Sequence, residues 1–223
     1  MKRNQSGFTL IEIAIVLVII GLLLGGVLKG QELINSAKVK NLATDFKNIP
    51  VFIYGYQDKF KALPGDDAAS VAHLGATAGT PPGATGSNGL IDGLWLPAAA
   101  TDETALFWQH VRLAGLAPGE TTVAVGAGNT FLPKNAVGGS IGVTSAANSP
   151  IATLKGSYII CSDSVPGKFA KQLDTTLDDG VSNTGSLQII TQGATAAGGT
   201  AKTPAEMAAA GSDDTPFLVC MGV

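Results

Sequence analysis

The first sixty residues contain two different hydrophobic patterns. Residues 8–28 form an almost unbroken apolar run in which Glu12 is the single charged residue. A helix of these 21 residues would be about 31 Å long at ~1.5 Å per residue, which matches the hydrocarbon core of a bilayer. The run therefore predicts one membrane-spanning helix.

Beyond this run, hydrophobic residues recur at spacings of three and four. They form a seam that consists of Val39, Leu42, Phe46, Ile49, Ile53, Tyr56 and Phe60. This period predicts that the helix continues over residues 29–62 as an amphipathic segment. The whole helix is then expected to run from Thr9 to about Lys61. Pro50 removes one backbone hydrogen bond, so a kink is expected there. We expect the seam to dock against a folded domain, and a coiled-coil dimer is the alternative.

Residues 63–223, which we call the head, show shorter patterns separated by turn residues. Leu63-Pro64-Gly65 ends the long helix, and residues 75–93 form a Gly/Thr/Pro-rich loop. Helices are predicted for "TDETALFWQHVRLAGL", capped near Thr101 or Asp102, and for "PGKFAKQLDTTL". Strands are predicted for "TTVAV", "NTFLP", "GSIGVTS", "GSYIICS", "SLQIIT" and "FLVCM". The predicted fold class is α+β, a long N-terminal α-helix (half of it transmembrane) packed on an antiparallel β-sheet.

Charge is distributed unevenly along the chain. Residues 29–61 hold six lysines and three acids, a net charge of +3, whereas residues 62–223 hold six basic and thirteen acidic residues, a net charge of −7. An acidic head argues against nucleic acid as a partner, and leaves the basic helix stretch as the one surface open to it. We favour a solvated or subunit-contacting role for that stretch.

The start of the apolar run has a specific signature. Gly7 precedes Phe8-Thr9-Leu10-Ile11-Glu12, and "GFTLIEIAIVLVIIGLL" closely resembles the class III leader and first helix of type IV pilins and type II secretion pseudopilins. A secretory signal is not indicated, because the run is too long and has no A-x-A site. The resemblance implies that residues 1–7 are a leader, that a prepilin peptidase cleaves between Gly7 and Phe8, and that Phe8 is then N-methylated.

Glu12 requires an explanation, because an acid in lipid costs roughly 3 kcal/mol on insertion scales. The resemblance implies that Glu12 pairs with the terminal amine of Phe8, in this family on the neighbouring subunit of a filament. Such a pair also sets the register of assembly. The alternative is a carboxylate near the membrane face that extends to the headgroups.

Glycines recur at a spacing of four residues in the apolar helix and just beyond it. Gly21, Gly25 and Gly26 create small-xxx-small spacings that let membrane helices pack closely, and ordinary membrane-helix glycine is the alternative. Many pilins carry a proline in this neighbourhood. This chain has Lys29 there instead, so whether the helix melts in a filament stays open.

Two cysteines, Cys161 and Cys220, lie in the C-terminal half of the chain. If the head lies outside the cytoplasm they can pair, and a loop of about 60 residues is then worth at most about 4 kcal/mol. Two buried free thiols are the alternative, and we favour the disulfide.

The sequence contains no consistent set of catalytic residues. "GGSIG" at residues 138–142 places Ser140 in a nucleophile position, but His73 and His110 both lie upstream of it, where the elbow needs a downstream histidine. For His110 a structural or surface role is the default. No P-loop, H-E-x-x-H or C-x-x-C is present. We expect a protein that is not an enzyme.

An acidic group in the C-terminal half is the one candidate for a metal site. Asp174, Asp178 and Asp179, with Asn183, offer oxygen ligands of the kind that Ca²⁺ prefers, and major pseudopilins resembling this chain can hold calcium in a C-terminal loop. The same residues are those that turns use, and EF-hand spacing is absent. We favour turn chemistry with no metal or other cofactor, and calcium is the alternative.

The function implied by the resemblance is a prepilin, the structural subunit of a type IV pilus-like filament. Its implied partners are copies of itself, the prepilin peptidase, and the assembly ATPase with its inner-membrane platform. The precursor would cross the bacterial inner membrane once with its N-terminus in the cytoplasm, and the filament would be periplasmic or extracellular. The alternatives are a type II secretion pseudopilin, a membrane-tethered binding domain that never polymerises, and, third, an anchored enzyme.

Overall fold

A long helix opens the described part of the chain. The computed structural model describes residues 10–82, 87–125 and 131–223. Helix α1 runs from Leu10 to Phe60, which confirms the predicted helix, and it continues through Pro50 without a break. The kink at Pro50 stays a prediction. The chain divides into two compact units, the first ending at Lys38 and the second running from Val39 to Val223.

The first unit has a surface that none of the described residues covers. Every described side chain from Leu10 to Leu28 is exposed, including large aliphatic ones such as Leu22 and Leu28. Apolar surface of this extent is unfavourable in water, so lipid or other protein must cover it.

The second unit combines short helices with an antiparallel sheet. Besides the C-terminal part of α1, its helices are α2 (Ser70–Leu74), α3 (Glu103–Leu113), α4 (Gly167–Leu177) and α5 (Pro204–Met207), with a 3₁₀ turn at Ala146–Asn148. Its strands are β1 (Ile141–Ser145), β2 (Tyr158–Pro166), β3 (Leu187–Thr191) and β4 (Pro216–Gly222). Antiparallel pairing gives the order β1-β2-β4-β3. The predicted α+β class is confirmed.

The seam of α1 forms the centre of the main core. Val39, Leu42, Phe46, Ile49 and Ile53 are buried in one cluster with residues of the sheet and of α3. Members from the other elements are Ile141, Val143, Ile160, Leu187, Ile189, Val219, Phe107 and Val111. Docking of the seam is confirmed, and the coiled-coil alternative is wrong because the seam is buried inside the unit.

Loops cover the other face of the sheet. Successive residues of a strand point to opposite faces, so Ile159 and Cys161 lie on the face away from Ile160. They belong to a second buried cluster with Trp95 and Ile151. Trp95 donates its indole N–H to the carbonyl of Ala194 at 2.8 Å, which fixes the ring in this cluster. The sheet is therefore buried on both sides.

Two predicted strands have no counterpart among the described residues. "TTVAV", residues 121–125, is irregular, because alternation alone does not form a strand without a neighbouring strand to pair with. "NTFLP" begins outside the described residues, and Phe131 to Pro133 are not in a strand. Only Lys134 pairs, by an isolated bridge to Ser140. Ser140 thus precedes β1 in an antiparallel turn rather than in a strand-to-helix elbow.

Candidate functional site

The N-terminal site lies at the edge of the described residues. Gly7 and Phe8 lie outside the described residues, so cleavage between them and methylation of Phe8 remain predictions. Glu12 lies in the first turn of α1 with an exposed side chain. An acid in the first turn also complements the positive end of the helix dipole.

The glycines of α1 have open space around them. A methyl group built on Gly21, Gly25 or Gly26 would meet no other atom within 4 Å. Nothing in this chain therefore requires glycine at these positions. What the positions offer is a groove in the helix surface that a second helix could enter closely.

Helix α1 also satisfies the length and composition of a membrane span. Among the described helices it is the one that does so, with a mean hydropathy of 2.8 over its most apolar 18 residues, none of them buried within the chain. The criterion is one of length and composition only, and the segment stands near the N-terminus.

The two cysteines form a disulfide at the centre of the sheet. Cys161 on β2 and Cys220 on β4 are directly paired in register, with their Cα atoms 4.1 Å apart, and both are fully buried. The predicted pairing is confirmed, and the alternative of two free thiols is wrong. Structural disulfides persist in oxidising compartments, which agrees with a head outside the cytoplasm.

The three aspartates of the candidate cation site converge. Asp174 lies in the last turns of α4, and Asp178 and Asp179 follow the helix. One carboxylate oxygen from each lies within 4.8 Å of the others. Asp174 is 1% exposed, and burial, with the nearby Asp179 and Asp178, raises its pKa to about 6.

The loop satisfies part of this group through turn hydrogen bonds. Asp178 Oδ2 accepts the backbone N–H of Leu187 at 2.8 Å, and Asp179 accepts the hydroxyl of Thr184 and the N–H of Val181. These bonds hold the pKa of Asp179 below its usual value. Turn chemistry of the kind we favoured is therefore present at two of the aspartates.

Asp174 accepts a backbone N–H from Gly180, but its Oδ1 is not satisfied in this way. Oδ1 of Asp174 and Oδ1 of Asn183 are both buried, and neither has a hydrogen-bond partner among the described residues. Leaving a buried oxygen without a donor costs about 1–3 kcal/mol, and more for a charged group. A hard cation held by the three converging aspartates would remove that cost at Asp174, so these carboxylates fit Ca²⁺.

Both histidines have structural partners. His110 is buried, accepts the backbone N–H of Gly65 at Nδ1, and lies 2.8 Å from the carbonyl of Gly79 through Nε2. Burial lowers its pKa, so it is neutral and donates from Nε2. His73 lies with Nδ1 2.7 Å from Asp67, which also accepts the hydroxyl of Tyr56. This network joins α1 to the loop after it.

A further buried acid was not anticipated from the sequence. Glu103, the first residue of α3, is 2% exposed, and Oε2 accepts the backbone N–H of Asp92 at 2.7 Å. Its Oε1 is buried without a partner among the described residues. Burial, together with the charges of Asp66 and Asp92, raises the pKa of Glu103 to about 7. The sequence shows only a helix start, "TDET", where acids are ordinary.

Comparison with known proteins bears on the N-terminal segment. A family model described as the prokaryotic N-terminal methylation motif matches residues 2–28. The match includes Gly7, Phe8 and Glu12 and ends where the apolar run ends. No curated protein sequence and no solved structure gives a significant match to the chain.

Proposed function

We propose that this prepilin-like chain, whose N-terminal methylation motif is typical of type IV pilins and pseudopilins, is a structural subunit of a type IV pilus-like filament. Residues 1–7 are a leader that is removed after Gly7, and Phe8 becomes the methylated N-terminus. Residues 8–28 cross the membrane before assembly and form the filament core afterwards. Residues 29–62 continue the helix, and residues 63–223 form the head outside the cytoplasm.

One observation supports this proposal most strongly. The apolar helix surface from Leu10 to Leu28 is wholly exposed, while the second unit has a complete core and its own disulfide. The apolar segment is thus not needed to fold the head. A surface that can be covered first by lipid and later by other copies suits a subunit stored in a membrane and then polymerised.

Phe8 and Glu12 carry assembly in this proposal. Cleavage creates a cationic secondary amine at Phe8, and Glu12 lies one helical turn further along the chain. The carboxylate of an incoming subunit pairs with the amine of the subunit already in place. An ion pair in an apolar core has little tolerance for misplacement, so it fixes the axial position of each subunit.

The glycines of α1 contribute to the packing of the same filament core. Gly21, Gly25 and Gly26 let neighbouring helices approach without side chains between them, which is consistent with the open space at each position. The implied partners are other copies of the chain, the prepilin peptidase, and the assembly ATPase with its inner-membrane platform. The chain has no catalytic role in this proposal.

The test is filament assembly by Glu12 variants. Glu12→Gln and Glu12→Ala should be cleaved and methylated normally but give no filaments in sheared surface fractions examined by electron microscopy. Glu32→Gln is the matched control, because Glu32 is an exposed acid on the same helix that pairs only with Lys29. Normal filaments from both Glu12 variants would contradict the assembly role.

A type II secretion pseudopilin is the second candidate. It shares every N-terminal feature, and the proline that many pilins carry is missing here. Deletion of the encoding gene separates the two: loss of surface filaments indicates a pilus, and accumulation of secreted enzymes in the periplasm indicates a pseudopilus. A tethered, non-polymerising binding domain predicts neither result.

We also propose that the cluster of Asp174, Asp178, Asp179 and Asn183 binds Ca²⁺. The supporting observation is the pair of buried oxygens without partners described above. Ca²⁺ at a hundred times its dissociation constant would stabilise the folded head by about 2.7 kcal/mol. The ion would tie the end of α4 to the loop that leads into β3.

The calcium proposal is tested by thermal unfolding with and without a chelator. Ca²⁺ should raise the melting temperature of the full chain in detergent, and Asp174→Asn should abolish the rise. Asp213→Asn, at an exposed residue paired with Lys171, is the control and should respond like wild type. An unchanged melting temperature on chelation would dispose of the site.

A further inference from the structure

A small slot opens on the side of the second unit, next to α1. Its volume is about 190 Å³, somewhat larger than the 150 Å³ cavity that holds a benzene molecule in an engineered protein. Its walls come from α1, from α3, from the segments between α3 and the sheet and from the start of β1, and they are Asp45, Asn48, Ile49, Phe52, Trp108, Ala117, Pro118, Pro133 and Ile141. The slot has room for one long side chain.

Asp45 is the single charged group among the described residues that line the slot. Its side chain is half-buried, and none of the ion pairs among the described residues includes it. Burial raises the pKa of this carboxyl to about 6. An acid on the outer side of an amphipathic helix normally stands in water, so a desolvated one without a cation is unusual.

Trp108 forms another wall of the slot. It is 3% exposed, and its indole N–H is buried without an acceptor among the described residues. The guanidinium of Arg112 lies over that ring and over Phe131, and it makes no ion pair with Asp45. The slot therefore combines apolar walls, one carboxylate and an aromatic ring.

These features match one chemical class of occupant. A lysine side chain has an apolar stem of four carbons and a cationic end, so the stem would lie against Phe52, Pro118 and Pro133 while the ammonium reaches Asp45. A neutral apolar ligand would leave Asp45 without a partner, and an anion would be repelled by it.

Lysines of this kind are present on the chain itself. In the part of the second unit that the structure describes, the ammonium groups of Lys40, Lys47 and Lys155 make no ion pair, hydrogen bond or ring contact, and all three residues are exposed. By contrast, Lys168, Lys171 and Lys202 each pair with an acid. The unit thus has an unpaired acid in a slot and unpaired cations on its surface.

We propose that the slot at Asp45 receives a lysine side chain from a second copy of the chain, and that this contact holds neighbouring heads together. The proposal rests on the filament role given above. It adds a contact between folded heads, separate from the contacts made by the apolar helix. The pairing of an unpaired acid with an unpaired lysine satisfies both groups only when two copies meet.

The test is a double-mutant cycle that measures filament yield. Its substitutions remove the charge of Asp45 or of one lysine, and asparagine keeps the shape of the Asp45 side chain. Asp45→Asn should lower the yield of sheared filaments by about tenfold or more, as should one of Lys40→Gln, Lys47→Gln and Lys155→Gln. Combining that lysine variant with Asp45→Asn should cause no further loss, because both remove the same contact. Asp58→Asn, at an exposed acid on the same helix, is the matched control and should assemble normally.

The outcomes separate this proposal from the filament role. Wild-type yield from Asp45→Asn would overturn the slot contact while leaving the filament role intact. The slot contact would also be overturned if, for each of the three lysine variants, the loss of yield in the double variant equalled the product of the two single-variant losses. If the wild-type chain forms no filaments, the filament role fails first. Unfolding in urea shows that each variant is folded, and Asp45→Asn should be at least as stable as wild type at neutral pH because it removes a desolvated charge.

Discussion

Glu103 gives the sharpest prediction about stability. It begins α3 with a buried carboxylate that has one hydrogen bond, from the backbone N–H of Asp92, and one oxygen without a partner among the described residues. Two other acids, Asp66 and Asp92, lie close enough to disfavour its charge. We predict that Glu103→Gln stabilises the protein at pH 8, because the amide keeps the same shape and can accept the same bond without carrying a charge.

The magnitude follows from the pKa of this group. Its folded-state value is about 7, against an ordinary value of 4.5, so the folded protein binds the proton more tightly than the unfolded chain does. The free energy of unfolding therefore rises as the pH falls from about 7 to about 4.5, and is lowest above pH 7, where the side chain is ionised in both states. At ~1.4 kcal/mol for each pKa unit, the shift from 4.5 to about 7 corresponds to about 3.5 kcal/mol, and we expect the ionised side chain to cost about 2 to 3 kcal/mol above pH 7 because water screens part of the repulsion from the half-buried Asp92.

The assay is urea unfolding of the full chain in detergent, followed by tryptophan fluorescence between pH 4.5 and 8. Glu103→Gln should exceed wild type by about 2 to 3 kcal/mol at pH 8, and the difference should shrink towards zero at pH 4.5, where Glu103 is protonated in the folded state. Glu120→Gln, at an exposed acid, should stay within about 0.5 kcal/mol of wild type throughout. A Glu103→Gln protein less stable than wild type at pH 8, or a difference independent of pH, would refute the reasoning.

Three further predictions concern the second unit. Replacing Cys161 and Cys220 by serine should lower the free energy of unfolding by about 4 kcal/mol, since the bond closes a loop with a separation of 59 residues, and a reductant should do the same to wild type. Tyr56→Phe should cost about 1.5 to 3 kcal/mol in urea unfolding, because its hydroxyl bonds the carboxylate of Asp67 at 2.7 Å. Gly142→Ala should lower the urea midpoint by the equivalent of about 1 to 3 kcal/mol, because the new methyl group would stand 2.0 Å from the carbonyl oxygen of Trp95.

Local pattern was sufficient for α1, α3, α4 and the four strands, whereas the short helices α2 and α5 were not predicted. The seam of α1 repeats over many turns, and α3 and α4 begin and end at recognisable turn residues, so their positions were predictable. The four strands were predictable as short apolar runs. "TTVAV" shows the limit of this reasoning, because a strand also needs an edge to pair with, and the local sequence carries no information about that edge.

The unusual acids could not be predicted, because their environment comes from distant parts of the chain. Asp45 has the sequence context of a solvated helix residue, but segments near Pro118 and Pro133 fold against it. Glu103 looks like an ordinary helix-start acid, but in the folded protein it accepts the backbone N–H of Asp92 and lies near the charge of Asp66. The cation cluster was partly predictable, since the acids are close in sequence, but the burial of Asp174 is a property of the folded head.

We propose that processing of this prepilin-like chain leaves a methylated phenylalanine, Phe8, as its first residue. Mass spectrometry of the N-terminal peptide from the mature protein tests it most directly. The expected peptide begins at Phe8 with one added methyl group on its amine. A mature protein that still begins at Met1, or one cut at any other bond, would contradict the proposed processing.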